Sequence, residues 1–195
     1  MKKKNNIIIT ENFKKSGENK YNKKIKNQLK SLSQDLNNNQ DTFFFLSKKF
    51  KLDFTSQDMR KFKKFQTIVI LGMGGSILGS KAIYGFFHNR IKKNVLFFDN
   101  LDSSNIQRVK KKINFKKSLF IIVSKSGNTL ETLSMINVLK NKKIDNKNTI
   151  VITERRNSPL ANFCKKFNIL MIEHKKHIGG RFSVLSEVGM LPAYL

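Results

Sequence analysis

"TIVILGMGGSILGSKAIYGFF", residues Thr67–Phe87, passes from an apolar run into a glycine cluster and then into an apolar-periodic stretch. Thr67–Leu71 is short and continuously apolar, the pattern of a strand buried on both faces. Gly72-Met73-Gly74-Gly75-Ser76 ends it, and Ser76–Phe87 has helical spacing. Glycine costs chain entropy, so the cluster implies that something needs the backbone bare. The candidate is an anion held by backbone N–H groups at a helix start.

The same alternation continues downstream. Apolar runs recur at Val95–Asp99, Leu119–Ser124, Thr149–Thr153 and Ile169–Glu173, each expected to be buried on both faces. Helical patterns lie between them. Asp102 or Ser103 is the expected N-cap of "DSSNIQRVKKKI". "TLETLSMINVLK" is expected to turn Leu130, Leu133, Ile136, Val138 and Leu139 inward. "SPLANFCKKF" starts with Ser158 as N-cap and Pro159 at the first helical position. Strand and helix in alternation predict an α/β fold, a three-layer αβα sandwich on a five-stranded parallel sheet, order 2-1-3-4-5.

Residues 1–53 read as an N-terminal helical extension and 54–195 as the main domain. In the extension Ile25, Leu29, Leu32 and Leu36 share one helix face, and Phe43–Leu46 can pack on a core. Ile7–Ile9 is too short for a signal-peptide core, and no apolar run has membrane-spanning length. The single cysteine, Cys164, excludes an internal disulfide, suits a cytoplasmic location and reads as a small buried residue. The formal charge of +26 suggests a polyanion partner, but 33 of the 39 basic residues are lysine, spread along the chain as in Lys110-Lys111-Lys112 and Lys140-Asn141-Lys142-Lys143. Base reading and bidentate phosphate contacts favour arginine, and the excess of Lys, Asn, Ile and Phe fits AT-rich coding, so no specific nucleic-acid partner is expected.

Three segments carry candidate chemistry at the carboxyl ends of the expected strands. Gly72, Gly74 and Gly79 miss the dinucleotide spacing, Asp99 falls too late for a ribose-binding acid, and no Walker lysine follows, so a smaller anion fits "GMGGS" better. "VSKSGNTLET", Val123–Thr132, sets Ser124, Ser126, Asn128 and Thr129 around Gly127 at a helix start, either a phosphate cradle or an elaborate N-cap. "HIGGRFSVLSEVGMLPAYL" pairs Gly179 and Gly180 with Arg181, in a chain that otherwise prefers lysine. His174 and His177 are three apart, but no third metal ligand is evident.

Together these segments resemble the first sugar-isomerase (SIS) domain of the glucose-6-phosphate isomerase family. "LGMGGSILG" is similar to its glycine-serine motif, "VSKSGNTLET" to its phosphate loop and "GGRFSVLSEVG" to its arginine signature. "FFDNLDSSNI", Phe97–Ile106, matches its second strand and turn. The resemblance covers Gln66 to Leu195. It implies cofactor-free interconversion of glucose 6-phosphate and fructose 6-phosphate, in glycolysis and gluconeogenesis, with a homodimeric parent. It implies that Gly75 and Ser76 bound the pocket and that Ser124, Lys125, Ser126 and Thr129 hold the phosphate, Lys125 through its backbone. Gly180 and Arg181 would lie beside the reacting carbons, Arg181 stabilising the enediolate oxygens.

The family's base glutamate, ring-opening histidine and lysine have no counterpart here, so the chain is expected to be an N-terminal piece of such an enzyme, inactive alone. Glu131 reads as a first-turn helix carboxylate, and Glu187 matches no known base position. Ile77 stands where many relatives have a polar residue, which is expected to loosen sugar contacts. The alternative is a non-catalytic phosphosugar-binding module.

Overall fold

The computed structural model describes residues 18–36, 42–140 and 144–195. The Ile7–Ile9 run and Asn141-Lys142-Lys143 lie outside them. Helix α1 (Glu18–Asp35), a 3-10 turn at Thr42–Leu46 and the short α2 (Ser56–Met59) lead into the sheet. There follow β1 (Thr67–Leu71), α3 (Gly75–Phe87), β2 (Asn94–Phe98), α4 (Ser103–Lys112), β3 (Ser118–Val123) and α5 (Leu130–Lys140). Then come β4 (Thr149–Thr153), α6 (Pro159–Phe167), β5 (Leu170–Glu173), a 3-10 segment at Gly180–Leu185 and α7 (Glu187–Tyr194). All pairings are parallel and the order is β2-β1-β3-β4-β5, as the alternation of elements predicts.

Alternate residues of each central strand serve the two faces. Val69, Leu71, Phe120, Ile122 and Val151 meet α4, α5 and α6 through Val109, Met135, Leu139, Leu160 and Cys164. Ile68, Ile70, Leu119, Ile121 and Ile152 meet α3 and α7 through Ile77, Val188 and Leu191. Burial in β1, β3 and β4 is complete, but β2 and β5 are only partly covered, against the expectation of two buried faces for every strand. They are the edges, where no further strand shields them.

Local signals act where the residues place them. Ser158 Oγ accepts from Ala161 N at 3.2 Å with Pro159 opening α6. Asp102 takes the N-cap position of α4, its carbonyl accepting from Ile106 N at 2.9 Å. The α5 expectation needs one correction: Leu130 is 73% exposed, and Met135 takes the buried place instead. Leu130 opens the helix at the rim of the sheet, beyond the reach of the layer that covers Met135. Ile77 is also not a sugar-facing position, because at 1% exposure it points into the core.

The extension divides in two. In α1, Ile25 and Leu29 stay more than half exposed. Phe43, by contrast, sets its ring 5.6 Å from Phe182, and Phe44 sits 6.0 Å from Phe50 and 6.4 Å from His177. No helix among the described residues is long and apolar enough to cross a membrane.

Cys164 is 4% exposed, and burial pushes its thiol up to about 12. At pH 8 the folded chain should therefore present no reactive thiolate. The expected outcome is one thiol titrating with a chromogenic disulfide reagent in guanidinium, and little or none in native buffer.

Candidate functional site

Three backbone segments converge at the carboxyl ends of β1, β3 and β5. The β1–β3 ladder joins the first two, since a Cβ on Gly72 would lie 3.1 Å from the Val123 carbonyl oxygen. Gly75 and Gly180 join the first and third, since a Cβ on Gly75 would stand 2.5 Å from the carbonyl carbon of Gly180 and 2.9 Å from Arg181 N. Ser183 Oγ fastens that contact, lying 2.6 Å from Gly180 O and 3.3 Å from Gly75 O. Lys125 joins the second and third, its Nζ donating to Lys176 O at 2.7 Å and to Ile178 O at 3.0 Å.

These contacts answer part of the question raised by the glycine cluster. Gly74 has φ 51° and ψ −123°, a region that side chains avoid, and so makes the turn into α3. Gly75 is bare because another backbone passes against it. An anion is not the only claimant on that surface.

The loop between β3 and α5 has a distinct construction. Three successive carbonyls face the β4–α6 segment. Lys125 O accepts from Glu154 N at 3.1 Å and lies 3.5 Å from Thr153 Oγ1. Ser126 O accepts from Arg156 Nη2 at 3.0 Å and Nε at 3.3 Å. Gly127 O accepts from Leu160 N at 3.2 Å. A trans peptide points the next N–H opposite to its carbonyl, so the N–H groups of Ser126, Gly127 and Asn128 turn away from that neighbour. Gly127 N meets Ser124 Oγ at 3.1 Å, and Asn128 N meets Ser126 Oγ at 3.2 Å. The N–H groups of Ser126 and Thr129 find no acceptor among the described residues.

The hydroxyls gather on the same loop. Thr129 Oγ1 lies 2.9 Å from Ser124 Oγ and 3.5 Å from Ser126 Oγ. Thr129 stands at the N-cap position of α5, yet its hydroxyl faces these serines rather than a helix N–H. Ser124 is buried, whereas Ser126 and Thr129 are half-buried and open to a small ligand. Arg181 is exposed and pairs with no carboxylate among the described residues.

Charge is arranged behind this surface. Glu187 is fully buried, its Oε1 accepting from Lys175 Nζ at 2.6 Å and from Asp53 N at 3.1 Å. Asp53 in turn accepts from Glu173 N at 2.6 Å, on the outer edge of β5, and pairs with Arg155 at 3.1 Å. Glu154 lies 3.2 Å from Arg156 and 3.9 Å from Lys125. His174 is buried, and desolvation holds its imidazole below the ordinary 6.5, with the Lys125 charge adding to the depression against the Lys175 carbonyl, Glu187 and Glu154. His177 meets Phe44 edge-on, ring centroids 6.4 Å apart.

Sequence reasoning named all three converging segments but missed what positions them. It overlooked Arg156 and Glu154, and it assigned Lys125 a backbone role without a use for the side chain. The available signal was "ITERRNS", which puts two of only six arginines at the carboxyl end of β4. An apolar cavity of about 330 Å³, lined by Ile70, Ile83, Tyr84, Val95, Gly189 and Tyr194, lies between α3, α7 and the β2 side of the sheet. It belongs to a different face of the fold, and Lys92 and Lys93 also line it.

The sheet order and these loops define a doubly wound α/β domain with its candidate site at the switch point in strand order. The sugar isomerase domain of an RpiR transcription factor from Sphaerobacter thermophilus shares the fold, with a TM-score of 0.50 over 87% of this chain and 85% of that one at 16% identity. The family model described as "Phosphoglucose isomerase" matches residues 6–195, and the chain belongs to that family. It is 39% identical to a probable glucose-6-phosphate isomerase of Methanococcus maripaludis over 67% of this chain and 32% of the relative. Against the glucose-6-phosphate isomerase of Borreliella afzelii it is 42% identical over 66% of this chain and 26% of the relative. The crystal structure of a glucose-6-phosphate isomerase from Chlamydia trachomatis superposes with a TM-score of 0.60 at 31% identity, over 69% of this chain and 27% of that one. The chain thus spans about a third or less of the curated relatives it matches.

Two outcomes test this geometry. Gly75→Ala should destabilise the chain by about 2 kcal/mol in urea titrations, because the added methyl overlaps rigid backbone at Gly180. His174 makes stability fall with acidity. Below 6.5 the unfolded chain binds a proton that the buried ring refuses, so stability should drop as pH falls from 7 and level off once the folded ring titrates. A His174→Leu variant should show a flatter dependence in the same titrations.

Proposed function

We propose that this chain supplies the phosphate-holding part of the active site of an aldose–ketose isomerase that interconverts glucose 6-phosphate and fructose 6-phosphate. The observation that carries the reading is the β3–α5 loop, with its carbonyls tied outward and its hydroxyls and N–H groups left facing the mouth of α5. Membership of the phosphoglucose isomerase family supplies the reaction class.

In this reading Ser124, Ser126 and Thr129 give hydroxyls to the phosphate, and Lys125 contributes through the backbone of its loop. The helix start adds orphan N–H groups and a partial positive charge, which suit a dianion without a bidentate arginine. Gly75, Ser76 and Gly180 form the adjoining wall, its edge set by the close Gly75–Gly180 backbone contact. Arg181 faces the oxygens that become negative as the carbonyl moves between C1 and C2. A guanidinium held there stabilises an enediolate more than either neutral sugar, which is the differential that accelerates proton transfer.

Proton transfer itself needs a base within hydrogen-bond reach of the C1 and C2 protons. Glu154 is engaged with Arg156, Glu187 with Lys175 and the Asp53 N–H, and Glu131 sits in the first turn of α5 as a helix-dipole carboxylate. We assign the base to no residue of this chain. The chain is read as residues 1–53, an extension, and 54–195, the SIS domain of a cytosolic and homodimeric parent, needing neither metal nor cofactor.

Isothermal titration of glucose 6-phosphate into the chain tests the loop. Ser126→Ala and Thr129→Ala should each weaken binding by about 1 kcal/mol, roughly fivefold. Unchanged affinity in both would reject the assignment. In a coupled isomerase assay the chain alone should turn over at least about 100-fold more slowly than a complete enzyme, the contribution of one positioned base.

A further inference from the structure

Lys125 sits in the phosphate loop, but its ammonium turns away from it. Nζ donates to the carbonyls of Lys176 and Ile178, which belong to the turn leading into Gly179-Gly180-Arg181. The turn is otherwise closed by Ile178 N donating to Lys175 O at 3.1 Å, and Ile178 is fully buried beneath it. The nearest carboxylate, Glu154, is 3.9 Å away, beyond a hydrogen bond, so the two carbonyls are the closer partners. Backbone carbonyls gain more from a charged donor than from a neutral one.

The backbone of the same residue has an independent anchor. Lys125 O is held by Glu154 N, and the following carbonyls by Arg156 and Leu160. The phosphate loop thus keeps its shape without the Lys125 side chain. The arginine-bearing turn has ties at both ends, Lys175 Nζ to Glu187 Oε1 at 2.6 Å before it and the Gly75–Gly180 contact with Ser183 after it, and the Lys125 ammonium is what bonds its carbonyls to the phosphate loop.

We propose that Lys125 is a positioning residue for Arg181: its side chain is a strut from the phosphate loop to the turn that carries the arginine, setting the guanidinium at a fixed distance from a bound phosphate. The inference rests on the reading of the loop and of Arg181 given above. The physical logic is that a sugar phosphate has a fixed span between its phosphorus and its reacting carbons. A site built from two separate loops needs that span set by a direct connection, since a displacement of about 1 Å forfeits much of the catalytic benefit.

Lys125→Met keeps the apolar stem and removes the donor. Two ligands then separate the roles. Inorganic phosphate reports on the loop alone. A sugar-phosphate hydroxamate, whose planar oxygen pair imitates an enediolate, also needs Arg181. Lys125→Met should leave phosphate affinity within about twofold and weaken the hydroxamate about tenfold, the size of one charge-assisted contact mis-set. Lys125→Arg, which can reach the same carbonyls, should restore part of the loss. An equal loss for both ligands would mean that the ammonium serves the phosphate directly, and no loss for either would mean that the strut does nothing; each overturns the proposal. Amide hydrogen exchange without ligand supplies a separate readout. Lys125→Met should speed exchange across residues 176–182 and leave 149–160 unchanged, and protection retained at 176–182 overturns the strut. If the unmutated chain binds neither ligand while the exchange result holds, the reading of the site fails and the strut stands.

Discussion

The close passage of two backbones at Gly75 and Gly180 is the constraint on which the site depends. No side chain fits between them, since a Cβ on Gly75 would stand 2.5 Å from a carbonyl carbon. The same economy of space recurs along the interface: a Cβ on Gly79 would lie 2.9 Å from Val184 Cα, and one on Gly189 would lie 2.0 Å from Val184 O. The 3-10 segment Gly180–Leu185 is therefore pressed into a groove made by the first helix after β1 and by α7. That pressure carries Arg181 from the far end of the sheet, after β5, to the switch point beside β1.

Hydrogen bonds do for the neighbouring loop what glycine does here. Between β3 and α5 the loop leans on the neighbouring β4–α6 segment. Its shape comes from β4–α6, which takes up three consecutive carbonyls. Orientation of the Ser126, Gly127 and Asn128 N–H groups then follows from peptide planarity. Arg156 has this use for its guanidinium, two donors on one oxygen, at a place where a lysine would offer a single mobile ammonium.

Behind both loops lies a chain of charges that runs from Arg155 through Asp53 and Glu187 to Lys175. Glu187 is buried completely with a cation and a backbone N–H on Oε1, while Oε2 has no hydrogen-bond partner among the described residues. Removing Lys175 would leave a costly uncompensated charge on Glu187. Asp53 also covers a free N–H on the edge strand β5, which blunts that edge against stray pairing. The last residue of the expected extension is thus woven into the rim of the site.

Much of this was written in local patterns. Five apolar runs with helical intervals implied the parallel sandwich, because periodicity is a property of neighbouring residues. Ser158-Pro159 announced α6, and Ser124, Ser126 and Thr129 announced a donor-rich loop, for the same reason. Edge strands, the exposure of Leu130 and the core position of Ile77 were not legible, since burial depends on which layer reaches a residue. The tasks of Arg156 and the Lys125 side chain were hidden too. Their acceptors, Ser126 O, Lys176 O and Ile178 O, belong to backbone 30 to 53 residues away. Sequence by itself determined the elements and the chemistry each loop could offer. Only the tertiary structure decided which loops share one surface and which cations hold them there, because those contacts join residues that no local pattern relates.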